Sequence, residues 1–290
     1  MTAGTESGTA SASRLPRLAN EATRAASIAW RALVATLNGI RVLVTGATSG
    51  LGRAMAAALV GAGARVAVTS RSRIRSEAVA RELGPAAAGF ALDVRNEGSV
   101  AVCLAELYES FGSVEMLVNN AGIGMRTVNP RFLSAPQAFW TVSPSGFRDV
   151  METKATGVFL VARAIAPRML AAGHGRIVNI SMNAETMTRR GFVPYGPAGA
   201  CVDALSRVMA ADLAGTPVSV NTLLPGGATA TGMIPDDVSA EARAGLLDPA
   251  IMGPPIVWLA SEDAEDVHDQ RIVATQFAEW LAGRRRTPAH

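Results

Sequence analysis

Hydrophobic positions along the chain alternate between short apolar runs and longer stripes of helical spacing. Val42, Leu43 and Val44 form a continuous run of the kind a strand shows when both faces are buried. Ala54, Ala57, Ala58 and Leu59 then recur at a 3.6-residue period. The alternation continues with a strand over Arg65–Ser70, a helix over Glu77–Leu83 and a strand over Gly89–Leu92. A helix over Val100–Phe111 and a strand over Val114–Val118 follow. Alternating units of this length predict an α/β fold: a doubly wound parallel sheet with helices on both faces, three layers deep, its ligand at the carboxyl ends of the strands.

The ends read differently. Residues 1–14 are rich in Ser, Thr, Gly and Ala, a composition that predicts a disordered tail. Over residues 15–38 the apolar side chains of Leu18, Ala22, Ala25, Ile28, Ala29 and Leu33 return at helical spacing, interrupted by Arg17, Arg24 and Arg31. Those arginines break the apolar core a secretion signal needs, so this stretch is expected to be a helical extension packed on the body or on a partner subunit. Residues 39–283 form the expected single domain and 284–290 a basic tail beginning Arg284-Arg285-Arg286. At 290 residues the chain is long enough to bury a substantial core. No stretch approaches ~18 uncharged apolar residues, so no membrane span is expected. The net charge of +3 comes from arginines scattered along the chain, not from a stripe that would follow nucleic acid. Cys103 and Cys201 are isolated in helical patterns and read as two buried thiols of a cytoplasmic protein.

Between the first strand and the first helix stand Gly46, Gly50 and Gly52, with Thr48, Ser49 and Leu51 among them. Glycines at such a turn admit positive φ and close approach of a ligand, while the free amides of the next helix face outward. That is an anion site, most often for a pyrophosphate. In a dinucleotide fold an acid about twenty residues on would hold the ribose hydroxyl. Here the second strand ends in Ser70 and Arg71, a hydroxyl and a guanidinium suited to a 2′-phosphate, so NADP is favoured over NAD. Asp93 and Val94 after the third strand supply groups for adenine, and Asn120, Ala121 and Gly122 after the fourth lie at the centre of the sheet.

Thr45-Gly-x-x-x-Gly-x-Gly52, Asp93-Val94, Asn119-Asn-Ala-Gly122, Tyr195 near a helix start and Pro225-Gly226 after a strand occur in an order and spacing that resemble the short-chain dehydrogenase/reductase family over roughly Gly39 to Ala260. The resemblance implies a Rossmann-like seven-stranded sheet and hydride transfer between NAD(P) and a carbonyl or alcohol. It also implies a homodimer or homotetramer built through the helices that carry the active site. Ile256–Ser261 resembles the family's penultimate helix and Arg271–Ala274 its last strand. Thr275–Trp280 replaces the Asp-Gly-Gly that often follows, which favours the dimer. Thr229 and Thr231, after Pro225-Gly226, are expected to reach the nicotinamide carboxamide or a cofactor phosphate.

The family's chemistry uses an Asn, a Ser and a Tyr-x-x-x-Lys pair, the lysine and the cofactor's positive ring helping to stabilise a phenolate. This chain keeps Tyr195 and changes the other three. Gly199 stands at the lysine position, Met182 at the serine position and Lys154 at the asparagine position. Of 27 basic residues Lys154 is the sole lysine, although a prevailing bias would have supplied arginine. Two readings stay open. In one, the ammonium of Lys154 reaches toward the space Gly199 leaves, Tyr195 remains the general acid/base, and Ser181 or Asn183 orients the substrate. In the other, redox chemistry is lost and the fold binds NADP as a sensor or serves a non-redox isomerisation, dehydration or cyclisation.

Between Gly122 and Lys154 the chain runs about ten residues longer than such relatives. Met125, Phe132, Phe139 and Trp140 in that stretch are expected either to cover an apolar carbonyl or alcohol substrate or to form a satellite core. Met233, Ile234, Leu246 and Leu247 would line its pocket. Arg189 and Arg190 lie close by in sequence and read as an acid-binding pair or as exposed residues. No cluster of ligating residues points to a metal; His174, His268 and His290 lie far apart.

Overall fold

The computed structural model describes residues 37–286. The expected tail over 1–14, residues 15–36 of the helical extension expected over 15–38, and His290 lie outside them. Seven strands form one sheet in the order β3-β2-β1-β4-β5-β6-β7: β1 Arg41–Val44, β2 Arg65–Ser70, β3 Ala87–Ala91, β4 Met116–Asn119, β5 Gly175–Ile180, β6 Val218–Leu224 and β7 Arg271–Val273. Every pairing is parallel, and the order reverses between β1 and β4. That reversal opens a crevice at the carboxyl ends of the two strands.

Alternate residues of the strands feed two cores. Val42, Val44, Val66, Val68, Val178 and Ile180 pack beneath α1 (Gly50–Gly61), α2 (Arg73–Leu83) and the late helices. Leu43, Ala67, Leu117, Ile177 and Val220 pack on the other face against α3 (Glu97–Phe111) and α5 (Gly157–Ala172). Helices therefore cover both faces, as the alternation of the sequence implies. A run from Pro144 to Ala172 is helical throughout, made of α4 (Pro144–Met151), a π-helical turn Glu152–Thr156 and α5. It is apolar and 29 residues long. Val161, Ala162, Ile165 and Met169 bury part of it in the second core.

Several boundaries differ from the sequence reading. α2 begins at Arg73 rather than Glu77 because the Ser72 hydroxyl accepts the Arg75 amide. α3 begins at Glu97 because Asn96 caps it through the Ser99 amide. β3 lies over Ala87–Ala91, earlier than expected, in register with Val66–Ser70 of β2. The fourth strand is Met116–Asn119 rather than Val114–Val118. α6 (Ala184–Met187) and α7 (Tyr195–Asp212) follow β5, and α8 (Ala240–Ala244) follows β6. The penultimate helix, α9, is Gly253–Ala260. The basic stretch at 284 is not the start of a loose tail: α10 runs from Phe277 to Arg286, with Arg284 paired to Asp266. Phe277 and Trp280 of α10 pack on Trp258 of α9, at centroid distances of 5.8 and 5.4 Å. The two cysteines also part company. Cys103 is buried, whereas Cys201 on α7 is exposed because its side chain falls on the outer face of that helix.

Candidate active site

The glycine-rich turn joins β1 to α1 and is tied to β4 by side chains. The Thr45 hydroxyl accepts the amides of Asn120 and Ala121, each at 2.9 Å. The Asn120 amide donates to the carbonyls of Thr45 and Gly46 at 2.9 and 3.0 Å. Gly46 and Gly50 have φ of +63° and +54°, conformations costly for any side chain. A Cβ on Gly52 would collide with the Asn120 amide and the Gly46 carbonyl. Ser49, at the helix start, makes no capping bond, so the first-turn amides keep no side-chain partner. A cradle that a single methyl would fill, beside free amides at a helix N-terminus, fits a dinucleotide pyrophosphate.

At the adenosine end, Asp93 is held by Arg95 through two bonds of 2.9 and 2.7 Å, which keeps its carboxyl below the usual range. The Ser70 hydroxyl, at the end of β2, bonds to the Ser72 carbonyl and to the Ser76 hydroxyl of α2. Arg71 is exposed and makes no ion pair among the described residues, while Arg73 is taken up by Glu106. Val94 packs against Gly157, where a Cβ would lie 2.6 Å from its methyl. Past β6, Gly226 has φ of +94° and its carbonyl accepts the Asn183 amide at 3.1 Å. Thr229 is buried and bonds the Gly227 carbonyl. Thr231 stands against the turn, its methyl 3.2 Å from where a Cβ on Gly50 would be.

Tyr195 and Lys154 come together from α7 and the π-helical turn, and the Lys154 amine also reaches the end of β5. Lys154 lies in the π-helical turn, a feature that often marks functional positions in helices. Its side chain is only 7% exposed. The amine donates to the Ile180 carbonyl at 3.4 Å and stands 5.5 Å from the centroid of the Tyr195 ring, within cation–π range. Burial lowers this amine to about 8, with Asp203 acting against the fall. Ser181, next after Ile180, is buried and its hydroxyl has no hydrogen-bond partner. The Tyr195 hydroxyl meets the Met233 sulfur at 3.8 Å, and burial pushes the phenol above its ordinary range.

One expectation is corrected. The space beside Gly199 is not left for Lys154: the Met182 side chain fills it, with Cε 2.6 Å from where a Cβ on Gly199 would stand. The amine sits over the ring face instead. The long segment before α4 divides as well. Met125 and Phe132 are buried with Phe192 in a small cluster touching Tyr195, whereas Phe139 and Trp140 are 67% and 75% exposed. Arg189 and Arg190 are exposed, the first over the Phe192 ring at 5.0 Å. The ring of His268 bonds the Val220 amide and the Ala210 carbonyl, holding α7 to the β6–β7 edge. Arg271 was absent from the sequence reading of the site, yet it donates to the Met182 carbonyl at 2.7 Å. Nothing in its sequence neighbourhood marks it. Among the described residues no group of three His, Cys, Asp or Glu side chains is placed to hold a metal.

Known proteins share this fold. The pattern of the short chain dehydrogenase family matches residues 41–242. A 3-oxoacyl-[acyl-carrier-protein] reductase of Vibrio cholerae serotype O1 is 34% identical over 235 residues, 79% of this chain and 92% of the relative. A D-threitol dehydrogenase of Mycolicibacterium smegmatis is 35% identical over 192 residues, covering 65% and 70%. Among solved structures, a gluconate 5-dehydrogenase from Burkholderia cenocepacia in complex with NADP and tartrate superposes with a TM-score of 0.74. It is 28% identical and covers 86% of this chain and 99% of that one. With its sheet order, its glycine cradle and a match over most of its length, the chain belongs to the short-chain dehydrogenase/reductase family and is an NAD(P)-dependent oxidoreductase of that family.

Proposed function

We propose that the protein transfers hydride between NADP(H) and an apolar carbonyl or alcohol, with Tyr195 as general acid/base, Lys154 as the cation beside it and Ser181 as the group that orients the substrate oxygen. The observation that carries this reading is the buried Lys154 amine over the Tyr195 ring. A cation acts on a phenol by distance, whichever helix supplies it. When bound, the nicotinamide supplies or takes the hydride. In reduction Tyr195 gives its proton to the carbonyl oxygen, and the nearby positive charge stabilises the phenolate that remains. Asn183 has its amide engaged on the Gly226 carbonyl, whereas the Ser181 hydroxyl is unpaired, which favours Ser181. Arg71, free of carboxylate partners among the described residues, favours a 2′-phosphate and hence NADP. Met125, Phe132, Phe192 and Met233 around the phenol favour an apolar substrate. The relatives named above act on acyl and polyol substrates, carbonyl or alcohol in each case. Assembly as a homodimer through α4, α5 and α7 would cover Phe147, Phe159, Leu170 and Val208, which are exposed there.

The second reading, a redox-silent NADP binder or non-redox catalyst, is favoured by the Met182 thioether in the lysine slot and by the Met233 sulfur at the phenol. Single-turnover hydride transfer with NADPH across a panel of apolar ketones separates the two. Wild type is expected to turn over, Tyr195→Phe to lose at least a hundredfold and Lys154→Ala at least tenfold. Because the amine titrates near 8, its charge is present below that pH and lost above it. Wild-type turnover should therefore fall through pH 8, a limb that Lys154→Ala lacks. Arg71→Ala should weaken NADPH at least tenfold and leave NADH unchanged. Tight NADPH binding without turnover of any ketone would select the second reading.

A further inference from the structure

Tyr195, Gly199 and Asp203 are spaced four residues apart and so lie in a row along one face of α7. The Lys154 amine stands over the first, the Met182 side chain fills the space at the second, and Arg271 of β7 holds the third, Nε to Oδ2 at 3.0 Å. The same guanidinium reaches the Met182 carbonyl through Nη2 at 2.7 Å. One planar fork thus joins a carboxylate on α7 to the backbone of the residue that takes the family's serine position. The other carboxylate oxygen, Asp203 Oδ1, is buried without a hydrogen bond, so the guanidinium is what compensates this acid. Asp203 is also the charge that opposes the effect of burial on Lys154. The pair forms part of the wall of a cavity of about 210 Å³ between α7 and the β6–β7 edge, away from the phenol's apolar surroundings.

We propose that Arg271 and Asp203 are positioning residues: the guanidinium, anchored on the carboxylate, fixes the backbone at Met182 and so seats the thioether in the slot that Gly199 opens beside Tyr195. A slot with a glycine floor does not by itself hold an unbranched, flexible side chain in one place. Fixing the backbone of Met182 does. The planar fork serves both acceptors in a fixed geometry, which the point charge of a lysine does not reproduce and which an exchanged ion pair loses with the donor at position 271. The kinetic consequence rests on the oxidoreductase reading; the seating of Met182 is a property of the chain itself.

The test uses full-length protein with ¹³C-methyl-labelled methionines, the Met182 line assigned through Met182→Leu. Folding is checked by Tm, and single-turnover hydride transfer is measured alongside. Arg271→Leu and Arg271→Lys are expected to shift or split the Met182 line and to lower the hydride-transfer rate about tenfold, with NADPH affinity held within twofold. The double exchange Arg271→Asp with Asp203→Arg should recover Tm but not the Met182 line, because an aspartate cannot donate to the Met182 carbonyl. Arg271→Lys serves if Arg271→Leu does not fold. A Met182 line unmoved in either folded variant, or restored by the exchange, overturns the proposal. If wild type transfers no hydride, the oxidoreductase reading falls and the methyl line alone decides the seating.

Discussion

Burial holds the Lys154 amine near 8, against an ordinary value of 10.5, and its one hydrogen bond among the described residues, to the Ile180 carbonyl, is 3.4 Å long. The sign of the consequence follows from linkage. A folded-state pKa below the unfolded one means that the unfolded chain binds the proton more tightly, so the charged lysine destabilises the fold until pH rises through that interval. Lys154→Met should therefore be more stable than wild type at pH 7, by about 1–3 kcal/mol. The advantage should shrink between pH 8 and 10, as read by urea denaturation at several pH values. At this scale the sequence was partly legible. The lone lysine at a family position could be seen, but the pairing of Met182 with Gly199 could not. It depends on which way an unbranched side chain turns, and that is fixed by Arg271, 89 residues away.

The strand, turn and helix from Arg41 to Gly61 show how an element's geometry constrains a single position. Alanine normally favours a helix over glycine by about 1 kcal/mol. At Gly52 the added methyl would strike the Asn120 amide that links the turn to β4. Gly52→Ala should lose about 1–3 kcal/mol of stability as overpacking does, and NADPH binding with it, by thermal melting and fluorescence titration. The glycine spacing made this element plain in the sequence because a buried strand, a positive-φ turn and an apolar stripe each leave a local mark. Element starts were less plain. Ser72 and Asn96 are ordinary capping residues whose role depends on the backbone bending at that point. The split of the segment before α4, with Phe132 inside and Trp140 outside, depends on contacts with Phe192 that no local pattern announces.

For the whole molecule, the sheet order was legible in outline because parallel strands joined by helices admit few topologies. Its partner surfaces were not, since exposure is decided by the final packing. Phe159 is 44% exposed on α5, on the helical run that also carries Lys154. If a second copy covers that face, Phe159→Glu should shift the mass seen by light scattering toward the monomer. NADPH affinity should be nearly unchanged, because the substitution lies outside the glycine cradle.

The loop after β6 touches both ends of the catalytic crevice. Thr231 rests on the glycine turn, Met233 rests on the phenol and on Gly124, and Arg126 and Ser134 bind its Asp236 and Asp237. On the proposed reading, a carbonyl oxygen that receives the Tyr195 proton replaces the Met233 sulfur as the partner of the phenol. Recognition becomes an exchange of occupants, and measured affinity is the intrinsic affinity scaled by the share of molecules in which the seat has been vacated. On that reading the two acid tethers bear on that share, and substrate acceptance would be tuned by a loop that supplies no group to the proton transfer.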